Sequence, residues 1–216
     1  MDFYIISVFL CLLLSLIIIF SSLNLKKSLL SLVFKLFIFI GIAKYISLLV
    51  LHSANSVEGL YSLRYLPFLS LISIFSIGYI TLNFIKVKDF NIINFVILFG
   101  ISLTGFVIAL NIPNSIVILN ESYVILKNSN WVFMEHFYYI ILSMILIGMC
   151  IYKILKSSNT KHKACFILIA LGFIPVIIEQ IMFILNKNSF YFNILGDISM
   201  LSMISIVLII KSSFKK

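Results

Sequence analysis

Seven apolar runs follow one another along the chain, at residues 3–23, 28–51, 65–85, 91–112, 131–152, 164–185 and 191–210. Each can cross a hydrocarbon layer as a helix, which takes about 20 residues. Little of the chain lies outside them. Of 216 residues, 62% are hydrophobic and 11% charged, whereas a soluble domain is about half apolar and about a quarter charged. A water-facing globule cannot hide so much apolar surface, which excludes a soluble enzyme, a nucleic-acid-binding domain and a disulfide-rich secreted module. Lipid offers the backbone no hydrogen bonds, so only helices and closed barrels span it. Barrel strands alternate apolar and polar residues over ~10-residue segments, and the run from Leu12 to Phe20 has no such alternation. The expected fold is an all-α integral membrane protein, a seven-transmembrane helix bundle with residues 1–216 as a single transmembrane domain.

Charge then predicts orientation. The formal net charge is +9, and all sixteen basic residues except Arg64 are lysine. Eleven lysines lie on one set of connections, at positions 26, 27, 86, 88, 153, 156, 161, 163, 211, 215 and 216, against Arg64, Lys127 and Lys187 on the other set. Basic residues are retained on the cytoplasmic side, which predicts the N-terminus outside and the C-terminus in the cytoplasm. Tyr4, Tyr61, Tyr65, Tyr123, Trp131 and Tyr191 fall at the expected outer boundary, where amphipathic rings settle. The first run opens Met-Asp with no basic region before it, and Lys26 and Lys27 follow it; it is read as a retained span, not a signal peptide. The bias toward Lys, Ile, Phe and Asn is that of an AT-rich genome, and the expected location is a bacterial cytoplasmic membrane. The lipid bilayer is the one certain partner, with a cytoplasmic or membrane signalling protein as a second.

Proline and glycine mark irregular places. Pro175, inside the sixth span, is expected to kink it, while Pro67 sits in the first turn of the third, where it costs little. The longest connection, Pro113 to Asn130, carries the apolar patch Ile116–Leu119 and is read as a loop dipping into the outer interface. Cys11, Cys150 and Cys165 are odd in number and show no C-x-x-C spacing, so buried free thiols are expected and no metal site or other cofactor.

Ionisable groups at membrane depth cost at least ~2.5–3.5 kcal/mol each and are the best pointers to a site. With a rise of about 1.5 Å per residue, Lys44 lies in the outer half of the second span. Glu179 and Gln180 reach a similar depth on the sixth and Asp197 on the seventh, with Glu135 and His136 above them on the fifth. Two readings stand side by side. In one, these residues line a polar cavity open to the outside, and Pro175 lets the sixth helix respond to a ligand. In the other, Lys44 and one carboxylate neutralise each other and hold the bundle together.

Familiar chemistries are missing. Glu135-His136 is not followed by a second histidine in H-E-x-x-H spacing. G-x-S-x-G, paired-aspartate and Gly-rich phosphate motifs do not occur, and no catalytic residue or enzymatic activity is expected. Short stretches do form a pattern: Leu66-Pro-Phe-Leu-Ser-Leu-Ile-Ser opens the third span, and Trp131 with Tyr138 and Tyr139 opens the fifth. Lys153 to Lys163 leads into Leu171-Gly-Phe-Ile-Pro175, and Gly196-Asp197-Ile-Ser199 lies in the seventh. In this order of features the chain resembles the seven-transmembrane N-terminal sensor region of bacterial membrane histidine kinases. The resemblance implies an environmental or peptide sensor whose seventh helix passes a signal to the cytoplasm. The sequence ends six residues after the last span, so the expectation is an orphan or truncated sensor, or a subunit signalling through another protein. Two alternatives remain. One is a small-solute transporter with a three-plus-one-plus-three helix arrangement, although the Pro-Gln signature of that group is missing. The other is a membrane immunity or assembly protein with no ligand.

Overall fold

The computed structural model describes residues 2–23, 28–53, 65–85, 91–111, 114–119, 123–128, 132–185 and 194–213. Seven α-helices occur among them: α1 (Asp2–Leu23), α2 (Leu29–Ser53), α3 (Ser70–Ile85), α4 (Ile92–Asn111), α5 (Val132–Lys156), α6 (Thr160–Ile184) and α7 (Ile194–Ser213). Six are long and apolar enough to cross a membrane. The remaining one, α3, has 16 residues and is preceded by the 3-10 turn Leu66–Leu69, which has Pro67 in its opening positions. This is a multi-pass helical membrane protein.

The six long helices form a ring around α3. Each packs on its neighbours in the order α1, α2, α4, α5, α6, α7, and α7 closes back onto α1. Every residue of α3 from Ser70 to Ile85 is buried. Phe75 stacks on Phe173 of α6 at 5.9 Å and meets Tyr139 of α5 at 5.7 Å. Gly78 leaves room for Phe173 and Met200, whose side-chain atoms would lie 2.8 Å and 3.0 Å from a Cβ there. Small and hydroxyl-bearing residues suit this central position, because helices in lipid associate through close backbone approach and not through apolar burial.

The outer helices are patterned the opposite way from those of a soluble bundle. On α1, the residues turned inward include Ser7, Cys11, Ser15 and Ser22, all buried, while Phe3, Phe9, Leu13 and Phe20 are exposed. The spacing follows the helical period, but the large apolar side chains form the outer face. Lipid is the solvent that makes such a face stable. The serines satisfy themselves within the helix, as when Ser15 donates to the Cys11 carbonyl at 2.8 Å.

Two connections differ from their expected form. Residues 153–163 were expected to be a loop, yet α5 runs on to Lys156 and α6 begins at Thr160. Asn159 caps α6 by accepting from the Lys161 N–H at 2.9 Å. Lysine is a good helix former, and Lys153 and Lys156 in the last turn of α5 complement the negative end of its dipole. The 113–130 connection contains an antiparallel hairpin, β1 (Asn114–Leu119) with β2 (Tyr123–Asn128), pairing Val117 with Ile125. Its β-branched runs favour strands. Helix α6 continues through Pro175, which has no N–H to offer the Leu171 carbonyl.

Candidate functional site

The buried charged residues Lys44, Glu179 and Asp197 gather where α7 begins. Lys44 on α2 is fully buried, and its ammonium forms an ion pair and hydrogen bond with Asp197 Oδ2, in the first turn of α7. The adjacent Tyr45 hydroxyl donates to the same oxygen at 2.8 Å. Burial makes this arrangement necessary: a carboxylate out of water is tolerated only when paired and hydrogen-bonded. The Cys11 thiol of α1 lies beside the Tyr45 hydroxyl and within electrostatic reach of Lys44 and Asp197, so α1, α2 and α7 meet at one polar point.

Glu179 takes a different partner. Its carboxylate accepts from the backbone N–H of Gly196 at 2.7 Å and of Leu195 at 3.2 Å. These N–H groups belong to the first turn of α7, where no carbonyl precedes them in the helix. A residue from α6 thus caps α7 across the interface, and a carboxylate there complements the positive end of the helix dipole. Gly196 makes the approach possible. A Cβ at this position would lie 2.9 Å from the Val176 Cα and 3.0 Å from Glu179 Oε2.

A third contact joins α5 to α6. His136 Nδ1 is hydrogen-bonded to Gln180 Oε1 at 2.6 Å, and the imidazole stacks on Phe183 at 5.0 Å. Both His136 and Gln180 are buried. Glu135 lies one residue earlier on α5, and its side chain is outside the described residues.

Lys44, Asp197, Glu179, His136 and Gln180 therefore occupy one layer as three adjoining contacts. Of the two carboxylates weighed for Lys44, Asp197 is the partner. Tyr45 and Cys11 complete the first contact without having stood out in the sequence, because a tyrosine or cysteine in an apolar run looks like packing. Another polar contact of this kind links Ser70, at the start of α3, with the Tyr139 hydroxyl.

In this layer the polar groups answer one another. A pocket of about 560 Å³ lies at the other, lysine-rich end, between α3, α4, α5 and α6, with Asn83, Asn91, Asn94, Tyr152, Lys153 and Lys156 among its lining residues. Cys11, Cys150 and Cys165 are buried free thiols.

Compared with family models, with curated proteins and with solved structures, the chain matches none.

Proposed function

We propose that the protein is a sensor-like or accessory signalling module of a bacterial cell membrane, with its N-terminus outside and its C-terminus in the cytoplasm. Input acts on the outer half of the bundle, and α7 carries it inward. One observation supports this reading above the others: the first turn of α7 is held by Lys44 and Tyr45 from α2 and by Glu179 from α6. Ionisable groups at membrane depth mark function more often than architecture, and here they converge on the helix that leads to the C-terminus. A ligand or a change in the outer leaflet that competes for Asp197 or Glu179 alters how α7 is fastened, and the change travels along a rigid helix. The lysine-rich connections support the orientation.

The test is recovery of the tagged chain from native membranes, beside an Asp197→Asn variant. The sensor reading expects a cytoplasmic regulator to co-purify, in an amount that the variant changes. If none is recovered and reconstituted vesicles instead take up a small solute, the transporter reading replaces it. Reporter fusions at the C-terminus and within 113–130 test the orientation, and an external C-terminus overturns it.

A further inference from the structure

Helix α2 carries two lysines, and their surroundings differ. Lys44 is fully buried and answered by Asp197. Lys35 is half-buried, and among the described residues it makes no ion pair or hydrogen bond. An ammonium at membrane depth is costly unless something answers it, so this charge calls for a counterpart from outside the bundle.

The position of Lys35 on the helix limits what can reach it. Phe34 meets Phe84 of α3 with ring centres 5.1 Å apart, and Phe37 meets Phe95 of α4 at 6.2 Å. Each residue turns the helix by about 100°, which sets Lys35 about 160° round from Phe37 and so on the flank away from α4. The other neighbour of α2 in the ring is α1, and Lys35 stands at the α1–α2 seam. The buried Ser31 and Ile38 lie on its inner side, and the exposed Leu32, Leu36 and Phe39 on its outer side. That outer strip is apolar and faces acyl chains.

Depth adds a second constraint. Lys35 is six residues beyond Leu29, where α2 begins, a rise of about 9 Å. This is the lysine-rich end of the bundle, since the Lys211 ammonium lies over the Phe84 ring that Phe34 meets. Helical side chains lean toward the N-terminus of their helix, and a lysine stem lying on apolar surface carries its ammonium to headgroup level. The matching ligand has an anionic group at that level and a hydrocarbon chain beside Leu32, Leu36 and Phe39. A zwitterionic headgroup brings its own cation to compete for the phosphate, whereas a headgroup of net negative charge leaves it to the lysine.

We propose that Lys35 binds the phosphate of an anionic phospholipid at the α1–α2 seam, with an acyl chain laid along Leu32, Leu36 and Phe39. The site is separate from the ion-pair layer and does not rest on the sensor reading.

The experiment uses the full chain in detergent, with native mass spectrometry and thermal unfolding as readouts. Its probes are dioleoylphosphatidylglycerol and dioleoylphosphatidylcholine. Phosphatidylglycerol is expected to be retained in preference and to raise the Tm further. Lys35→Leu weakens its tightest retention about fivefold, the weight of one lysine at an anionic surface, and Lys35→Arg keeps it. Lys163→Gln, which removes a lysine at the same end but on α6, leaves that retention unchanged. Because Lys35→Leu removes a charge from membrane depth, its Tm without added lipid is expected to be no lower than that of the parent chain. Equal retention of the two lipids, undiminished retention in Lys35→Leu, or an equal loss in Lys163→Gln overturns the assignment. So does a lower Tm of Lys35→Leu without lipid, which would place the counterpart inside the protein.

Discussion

An ammonium and a carboxylate withdrawn from water each lose several kcal/mol of hydration, and their attraction restores it only with good geometry and further hydrogen bonds. Asp197 has both, through Lys44 and Tyr45. Removing one partner strands the other: Lys44→Met is expected to destabilise the fold by about 3–5 kcal/mol, while Lys44→Met/Asp197→Leu recovers most of the loss. Reversible unfolding in mixed micelles measures both, and a double variant no more stable than the single one refutes the pairing account. Tyr45→Phe is expected to cost about 1.5–3 kcal/mol in the same assay, the range for a lost hydrogen bond to a charged group. The sequence exposes this contact unevenly. Lys44 and Asp197 stand out because charge within an apolar run is rare. Glu179 stands out too, but its role does not, since its partners are the backbone N–H groups of residues 195 and 196. Backbone groups are present at every position and carry no signature in the letters. They become special only when a helix begins there.

Between elements, α6 and α7 approach closely where Gly196 meets Val176. Gly196→Ala places a methyl 2.9 Å from a backbone atom, and the crowding is expected to cost about 1–3 kcal/mol together with the Glu179 cap. Gly100→Ala on α4 is the control. Nothing lies within 4 Å of a Cβ there, and the better helix propensity is expected to stabilise by up to about 1 kcal/mol. A pair of Tm values decides, and equal shifts sink the close-packing account. The elements themselves were largely legible: the runs 3–23 and 65–85 end within a residue of α1 and α3, because lipid demands long apolar stretches and punctuates them with charge. What escaped was set by other forces. The lysines of 153–163 look like a loop by charge, yet their stems extend two helices toward each other. The 114–128 hairpin lies outside the spans, where hydropathy carries no information, and residues 120–122 show none of the Asn-Gly or Asp-Gly pairs that announce a tight turn.

On the outer helices, many large apolar side chains are exposed while serines such as Ser7, Ser15 and Ser22 are buried. Leu13, 54% exposed on α1, gives the sharpest check. Leu13→Arg is expected to cost about 2.5–3.5 kcal/mol of membrane insertion, whereas a surface change on a soluble protein stays within about 0.5 kcal/mol. A translocon insertion assay on α1 reads the difference, and undiminished insertion contradicts a lipid-facing position. The central helix extends this logic to biogenesis. Every residue of α3 is buried, but the helices packed against it include α5, α6 and α7, which are synthesised later. A nascent chain halted after α4 holds its most hydroxyl-rich helix against hydrocarbon on the flank those segments will cover. Until α5, α6 and α7 pack against it, that flank of α3 lacks the neighbours it has in the finished bundle.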